Sequence, residues 1–278
     1  MNVLEFSLLI GAGSFIAGFL GSLTGLGGGV VIVPMLTLIF GVDIRLAVGA
    51  SLVSVIATSS GAAAAYVKEG FSNIRIGMFL EIATTFGAII GAFLHPYLST
   101  ALIAVIFGVV LIFSAIFSAR PRSRESANTP PNKLAARLRM NGSFPTAEGE
   151  RKYNVRNVPQ GFSLMFLAGS LSGLLGIGSG AMKVLAMDQV MRIPFKVSTT
   201  TSNFMIGVTA AASAGIYLSQ GLIRPGLAMP VMLGVSVGSL IGAKVLIRSV
   251  TSTLRLIFAA VVTILALEMI YNGLAGKI

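Results

Sequence analysis

Ten apolar runs divide this chain: Leu4–Leu23, Val30–Phe40, Leu46–Val67, Ile76–Leu94, Leu102–Phe117, Phe162–Leu175, Ala181–Met191, Val197–Leu218, Leu227–Ala243 and Leu254–Tyr271. A helix needs roughly 20 apolar residues to cross a bilayer, within a range of about 17–25. Most of the runs meet or approach that length. Charged residues make up only 10% of the chain and hydrophobic residues 55%, whereas a soluble domain carries about 25% charged residues. Such a chain lacks the polar surface to face water, so lipid is the solvent that suits it. Lipid offers the backbone no hydrogen-bond partner, which leaves helix as the structure for each run. The expected fold class is all-α, a polytopic transmembrane helical bundle.

The net charge of +11 is concentrated in one place, which argues against a nucleic-acid partner. Residues 119–160 hold nine Lys/Arg against three acids, Glu125, Glu148 and Glu150. A basic, Pro- and Asn-containing stretch between apolar segments has the pattern of a cytoplasmic loop. It divides the chain into a first transmembrane region (1–118), a basic polar linker (119–160) and a second transmembrane region (161–278). The N-terminus lacks the cationic start of a secretory signal, and we read it as a retained span. The chain has no Cys, so thiolate metal sites are excluded, and no cofactor or metal site is expected.

Sliding the chain by 151 residues aligns its two regions. Gly25, Gly27 and Gly29 fall on Gly176, Gly178 and Gly180, Ser51 on Ser202, Tyr66 on Tyr217, and Gly87 and Gly91 on Gly238 and Gly242. One constant offset across separate motifs points to internal duplication, a common way of building transporters. Gly87-x-x-x-Gly91 and Gly238-x-x-x-Gly242 read as helix-packing faces.

The strongest chemical signal is the paired Gly motif. SLTGLGGGVVIVP runs from Ser22 to Pro34 and GLLGIGSGAMKVL from Gly173 to Leu185. Glycine costs about 1 kcal/mol per residue in a helix relative to Ala, so a cluster of three or four interrupts it. The run Phe162–Leu175 reaches only about 21 Å as helix, which places the second break inside the membrane. A half-helix starting there leaves unpaired N–H groups, suited to an anion. The expected anion-binding set is Gly27, Gly28, Gly29, Gly178, Ser179 and Gly180, with Ser51, Thr201, Ser202 and Asn203 from the polar stretches that come after them. Lys183, an intramembrane cation just past Gly180, is a functional candidate by default. Its structural alternatives are pairs with Asp188 or Glu81. Glu81 is itself a candidate for carrying a coupling proton.

These paired motifs, with Ser51 and Thr201-Ser202-Asn203 following each, resemble the sulfite exporter TauE/SafE family of bacterial and archaeal membrane proteins. The resemblance covers nearly the whole chain outside the linker. It implies a permease for small anions, chiefly sulfite and organosulfonates. Ser179 stands where Gly is usual, Leu185 where Pro is usual, and the linker is unusually long.

An enzyme fits less well. The single His, His95, precedes Pro96 at a segment end, which suits a loop residue rather than a catalytic one. There is no HExxH and no GxxxxGK[ST]. An anion channel is the second rival, separated from a carrier by whether flux saturates. The partners expected are a small anionic solute and the lipid bilayer, with homo-oligomer formation left open.

Taking each Gly-broken pair as one interrupted span gives eight spans, four per region, and puts both termini on the linker's side. That side then holds thirteen Lys/Arg against six on the other, which makes termini and linker cytoplasmic in a cell-membrane protein. Should the short runs turn back on themselves instead, parity changes and the halves become inverted.

Overall fold

A computed structural model of the chain describes residues 2–24, 28–68, 72–119, 132–146, 149–248 and 251–278. The chain is a helical membrane protein. Four helices among the described residues are long and apolar enough to cross a bilayer, within Leu4–Gly21, Ile74–Tyr97, Val158–Leu175 and Pro225–Gly242. Large apolar side chains such as Phe86, Ile90, Phe113, Leu233 and Leu267 point outward and are more than two-fifths exposed. An apolar exterior of this extent is stable against acyl chains and not against water.

In chain order, α1 (Val3–Thr24) is followed by the short α2 (Gly29–Pro34), which continues as a π-helical turn over Met35–Ile39. Then come α3 (Ile44–Lys68), α4 (Ile74–Leu94) and α5 (Thr100–Ala119). The linker contributes α6 (Lys133–Arg137) and an antiparallel hairpin of β1 (Gly142–Thr146) and β2 (Gly149–Tyr153). The second region runs α7 (Val158–Leu175), α8 (Gly180–Leu185) with a π turn over Ala186–Val190, α9 (Phe195–Ser219), α10 (Pro225–Arg248) and α11 (Thr251–Leu274).

The short runs correct the topology expected from sequence. They fold back along the helix before them instead of continuing its span. Phe40, at the end of the first short segment, stacks edge-on against Phe6 at the start of α1, with ring centroids 6.0 Å apart. A Cβ on Gly13 would lie 2.7 Å from Met35 Sδ, so the returning segment passes Gly13 midway. In the second region Asn157 Nδ2 donates to the Val190 carbonyl at 3.1 Å, and Arg156 N donates to the Met191 carbonyl at 3.0 Å. Each region therefore opens with a helical hairpin whose two ends lie together.

Helix directions emerge from the other contacts. Thr84 and Ala88 of α4 meet Gly169 and Gly173 of α7 in the same order, so these helices run parallel. Gly234 and Gly238 of α10 likewise meet Gly11 and Phe15 of α1 in order. Ala101 of α5 sits against Gly273 and Gly108 against Ala266, an antiparallel pair. Two faces of the bundle result. A terminal face gathers Phe6, Phe40, the Leu98 carbonyl bonded by Arg45 at 2.8 Å, Leu222 against Gly49, and Gly273. A linker face gathers Asn73, Met140, Tyr153 and Arg156. Contrary to the placement expected from sequence, the linker and the termini lie at opposite faces. The cause is the reversal at each break, which removes one crossing per region.

The linker is not a loose loop. Ala135, Met140, Phe144, Tyr153 and Val155 are buried with Ile76 and Leu80 of α4, Met165 of α7 and Met187 of the second π turn. Asn73 ties the junction. Its Oδ1 caps α4 by accepting from Ile76 N at 3.1 Å, while its Nδ2 donates to Tyr153 Oη at 2.7 Å and to the Met140 carbonyl at 3.2 Å. Burial pushes the Tyr153 phenol above its ordinary value, so it stays a hydroxyl.

Candidate functional site

The second break spans Gly176 to Ser179. Gly176 (φ +67°), Gly178 (φ +70°) and Ser179 (φ +46°) are all left-handed, a conformation glycine adopts freely and Ser at a cost of about 1–2 kcal/mol. Gly178 packs between Val55 of α3 and Ile206 of α9. Each of those residues lies eleven positions into a 25-residue helix, about 16 Å along an element of about 37 Å. Gly178 is therefore midway through the bundle, whereas Gly176 packs on Val48, only four positions into α3 and so nearer the terminal face. The first break has α1 ending at Thr24 and α2 beginning at Gly29, with Gly28 buried. Gly27 lies outside the described residues.

The two breaks touch. A Cβ on Gly29 would sit 3.1 Å from the Gly176 carbonyl oxygen and 2.6 Å from Ser51 Oγ. Ser51 Oγ itself donates to the Gly176 carbonyl at 2.8 Å, so a hydroxyl of the first region pins the break of the second. Ser202 Oγ donates to the Gly180 carbonyl at 3.3 Å. Ser179 Oγ is buried and has no partner among the described residues. Asn203, the next residue of α9, is buried as well. Thr201 is drawn elsewhere, accepting from Asn73 N at 3.1 Å near the linker face.

Lys183 lies on the first turn of α8 and is fully buried. Its Nζ donates to Thr209 Oγ1 of α9 at 2.6 Å, and Thr209 donates in turn to Glu81 Oε1 of α4 at 2.6 Å. Thr85 donates to the same oxygen at 3.2 Å. Glu81 Oε2 is buried without a partner among the described residues. Of the structural alternatives for Lys183, the partner is thus Glu81, through a hydroxyl. Asp188 accepts from Gln189 Nε2 at 2.8 Å instead. Sequence reasoning missed Thr209. Its signal was its place two turns past Ser202 on one helical face, unreadable without knowing that α4 lies opposite.

His95 is also corrected. It is no loop residue but is fully buried in a 3₁₀ extension of α4. Its Nδ1 is 2.8 Å from the Leu174 carbonyl, and Tyr217 Oη donates to the carbonyls of Gly173 and Leu174 at 2.9 and 3.1 Å. Together these rings hold the unpaired C-terminal carbonyls of α7 just before the break. Gly87 and Gly91 press against the α7 backbone at Phe166 and Ser170, and Gly238 against α1 at Phe15. Gly242 is buried late in α10.

An apolar-skinned helical bundle with two broken hairpins meeting at its centre around a buried lysine belongs to the class of polytopic membrane transporters. The sequence profile of the sulfite exporter TauE/SafE family matches residues 10–269, and the chain belongs to that family. The probable membrane transporter protein YunE of Bacillus subtilis (strain 168) is 30% identical over 98% of this chain and 99% of its own length. The probable membrane transporter protein MJ0441 of Methanocaldococcus jannaschii is 24% identical over 92% of each chain. YdhB of Bacillus subtilis, also named a probable membrane transporter protein, is 25% identical over 83% of this chain and 86% of its own. No solved structure matches the chain significantly.

Proposed function

We propose that the protein is an alternating-access permease for a small anion of the sulfite, organosulfonate or related oxyanion type, built from two inverted homologous repeats. The repeat reading is supported by element starts that recur at 151 residues: Gly29 and Gly180, Met35 and Ala186, Ile44 and Phe195, Ile74 and Pro225, Thr100 and Thr251. The packing is reciprocal as well, α1 against α10 and α7 against α4, with α3 crossing α9 and α5 lying on α11. Inverted repeats around a central site are a frequent basis for alternating access, with one half rocking against the other.

The observation that carries the anion reading is Lys183. It is a fully buried cation at the start of a half-helix, with one of its three N–H donors spent on Thr209. Two donors remain on Lys183, and Ser179 Oγ, just before the same half-helix, is buried without a partner among the described residues; these are the groups proposed to hold the anion. Gly28, Gly29, Ser51, Gly178, Gly180, Ser202 and Asn203 frame it. Thr201 is better placed to hold the linker junction.

In the cell membrane we place the linker in the cytoplasm and both termini outside. With the reversed hairpins, thirteen Lys/Arg of the described residues lie toward the linker face, and among the described residues only Arg45, Arg224 and Lys277 lie toward the terminal face. Without the linker the bias persists, seven (Lys68, Arg75, Arg192, Lys196, Lys244, Arg248, Arg255) against three.

The test is uptake and efflux in proteoliposomes with a panel of sulfur oxyanions, sulfonates and carboxylates. Saturable flux of one of the sulfur anions is expected, with Lys183→Ala reducing it at least tenfold while still inserting and purifying as a folded protein. Undiminished flux in Lys183→Ala removes the lysine from the site. Unsaturable conductive flux identifies a channel instead.

A further inference from the structure

We infer that Thr209 couples anion binding on Lys183 to protonation of Glu81, making the protein a proton–anion symporter that moves one proton with each monovalent anion. This rests on the reading of Lys183 as an anion ligand. Lys183 and Glu81 come from α8 and α4 and share one hydroxyl of α9, with 2.6 Å on each side. Thr209 is fourteen residues into α9, so the bridge lies deep in the bundle. With the ammonium and carboxylate both ionised the cluster is neutral. An anion arriving at Lys183 leaves it one negative charge in excess, in surroundings where an unpaired charge is strongly unfavourable. A proton from the aqueous side, taken onto Glu81, restores neutrality. Glu81 Oε2 is the atom ready for it, being buried and without a partner among the described residues, whereas Oε1 already accepts from Thr209 and Thr85. No bond other than the O–H forms, and the proton leaves when the anion does.

Other charges do not compete for this role. The whole of α7, which packs on α4, contains no ionisable side chain. On α4 the neighbours are Thr84 and Thr85, and Arg75 lies at the far helix end. On α9 the titratable groups are Lys196 in the first turn and Tyr217, which is spent on the α7 carbonyls. Asp188, on the π turn after α8, faces Gln189. The positions related to Lys183, Thr209 and Glu81 by the 151-residue offset are Ile32, Thr58 and Met232. The second niche is therefore uncharged, which sets the stoichiometry at a single proton per cycle. By linkage, anion and proton each raise the other's affinity by the same factor.

The experiment uses the full chain in proteoliposomes with radiolabelled sulfite, read over protein-free vesicles. Two quantities are measured: isotope exchange at equal pH on both sides, and accumulation driven by a pH difference. The wild type is expected to exchange, and to accumulate up to about tenfold above the protein-free level for one pH unit at one proton per anion. Glu81→Gln keeps the exchange and loses the accumulation. Thr209→Val, which keeps shape but not the hydroxyl, behaves like Glu81→Gln, and Thr209→Ser restores the wild-type behaviour. Should Glu81→Gln fail to insert, the Thr209 pair carries the comparison alone. Accumulation by Glu81→Gln or Thr209→Val equal to wild type overturns the coupling and leaves the permease reading standing. Loss of exchange together with accumulation in Thr209→Val, unrescued by Ser, also overturns it. No sulfite exchange by the wild type overturns the sulfite reading and the coupling with it.

Discussion

At the residue scale the glycines divide into two kinds by what a side chain would meet. Gly176 and Gly178 are needed for their left-handed backbone, and no L-residue adopts φ near +70° without cost. Gly87, Gly91, Gly169 and Gly173 are ordinary helical residues whose absent Cβ lets the α4 and α7 backbones touch. Gly173 faces the Ala88 backbone, which cannot retreat as a flexible side chain can. Gly173→Leu is therefore expected to destabilise the fold by about 1–3 kcal/mol, seen as a lower Tm of the detergent-solubilised protein. Gly221, which has nothing within 4 Å of a built Cβ, is constrained by its φ of +70° alone. Of these positions Gly87 and Gly91 were legible in sequence from their spacing. Gly169 and Gly173 have the same spacing, so their packing face was legible by the same rule, though the partner helix was not.

At the scale of elements, the short helices decide the architecture. Residue composition told that α1 and α7 end at glycine clusters, and the run of eleven apolar residues after each cluster was visibly too short to span. Whether the chain then goes on or turns back depends on tertiary contacts such as Phe6 with Phe40 and Asn157 with Val190, and no local pattern encodes those. The fold of the linker was not legible for a related reason. Its polar composition suits a loop, yet a few apolar residues, Met140, Phe144 and Val155, suffice to bury it against α4 and α7. Asn73 fastens that contact with its cap and its bonds to Tyr153 and Met140. Asn73→Ala is expected to cost about 0.5–2 kcal/mol from the lost cap alone. Limited proteolysis should then cut the linker faster than in the wild type, while Asn73→Asp, which keeps the cap, should lie between the two.

For the molecule as a whole, the hairpins fix which ends share a compartment. The absence of native Cys makes this directly measurable with single introduced thiols. Lys152→Cys, exposed on β2, and Lys277→Cys, exposed near the C-terminus, should react with a membrane-impermeant maleimide from opposite sides of the membrane. Intact cells should label Lys277→Cys, and inverted vesicles Lys152→Cys. Labelling of both from the same side contradicts the turned-back hairpins. The charge count from sequence placed the linker in the cytoplasm but, with one crossing too many in each region, sent the termini there as well.

Among the described residues, the folded linker rests on α4 of the first region and on α7, α9 and the π turn after α8 of the second, and on none of α1 or α2. In a carrier whose halves swap conformations, an equal pair of end states requires equal surroundings. A cap packed on one membrane surface of the bundle and not on the other removes that equality. On the alternating-access proposal the empty protein accordingly has a preferred resting orientation, whose free-energy offset is set by the contacts that the cap gains in one end state and loses in the other.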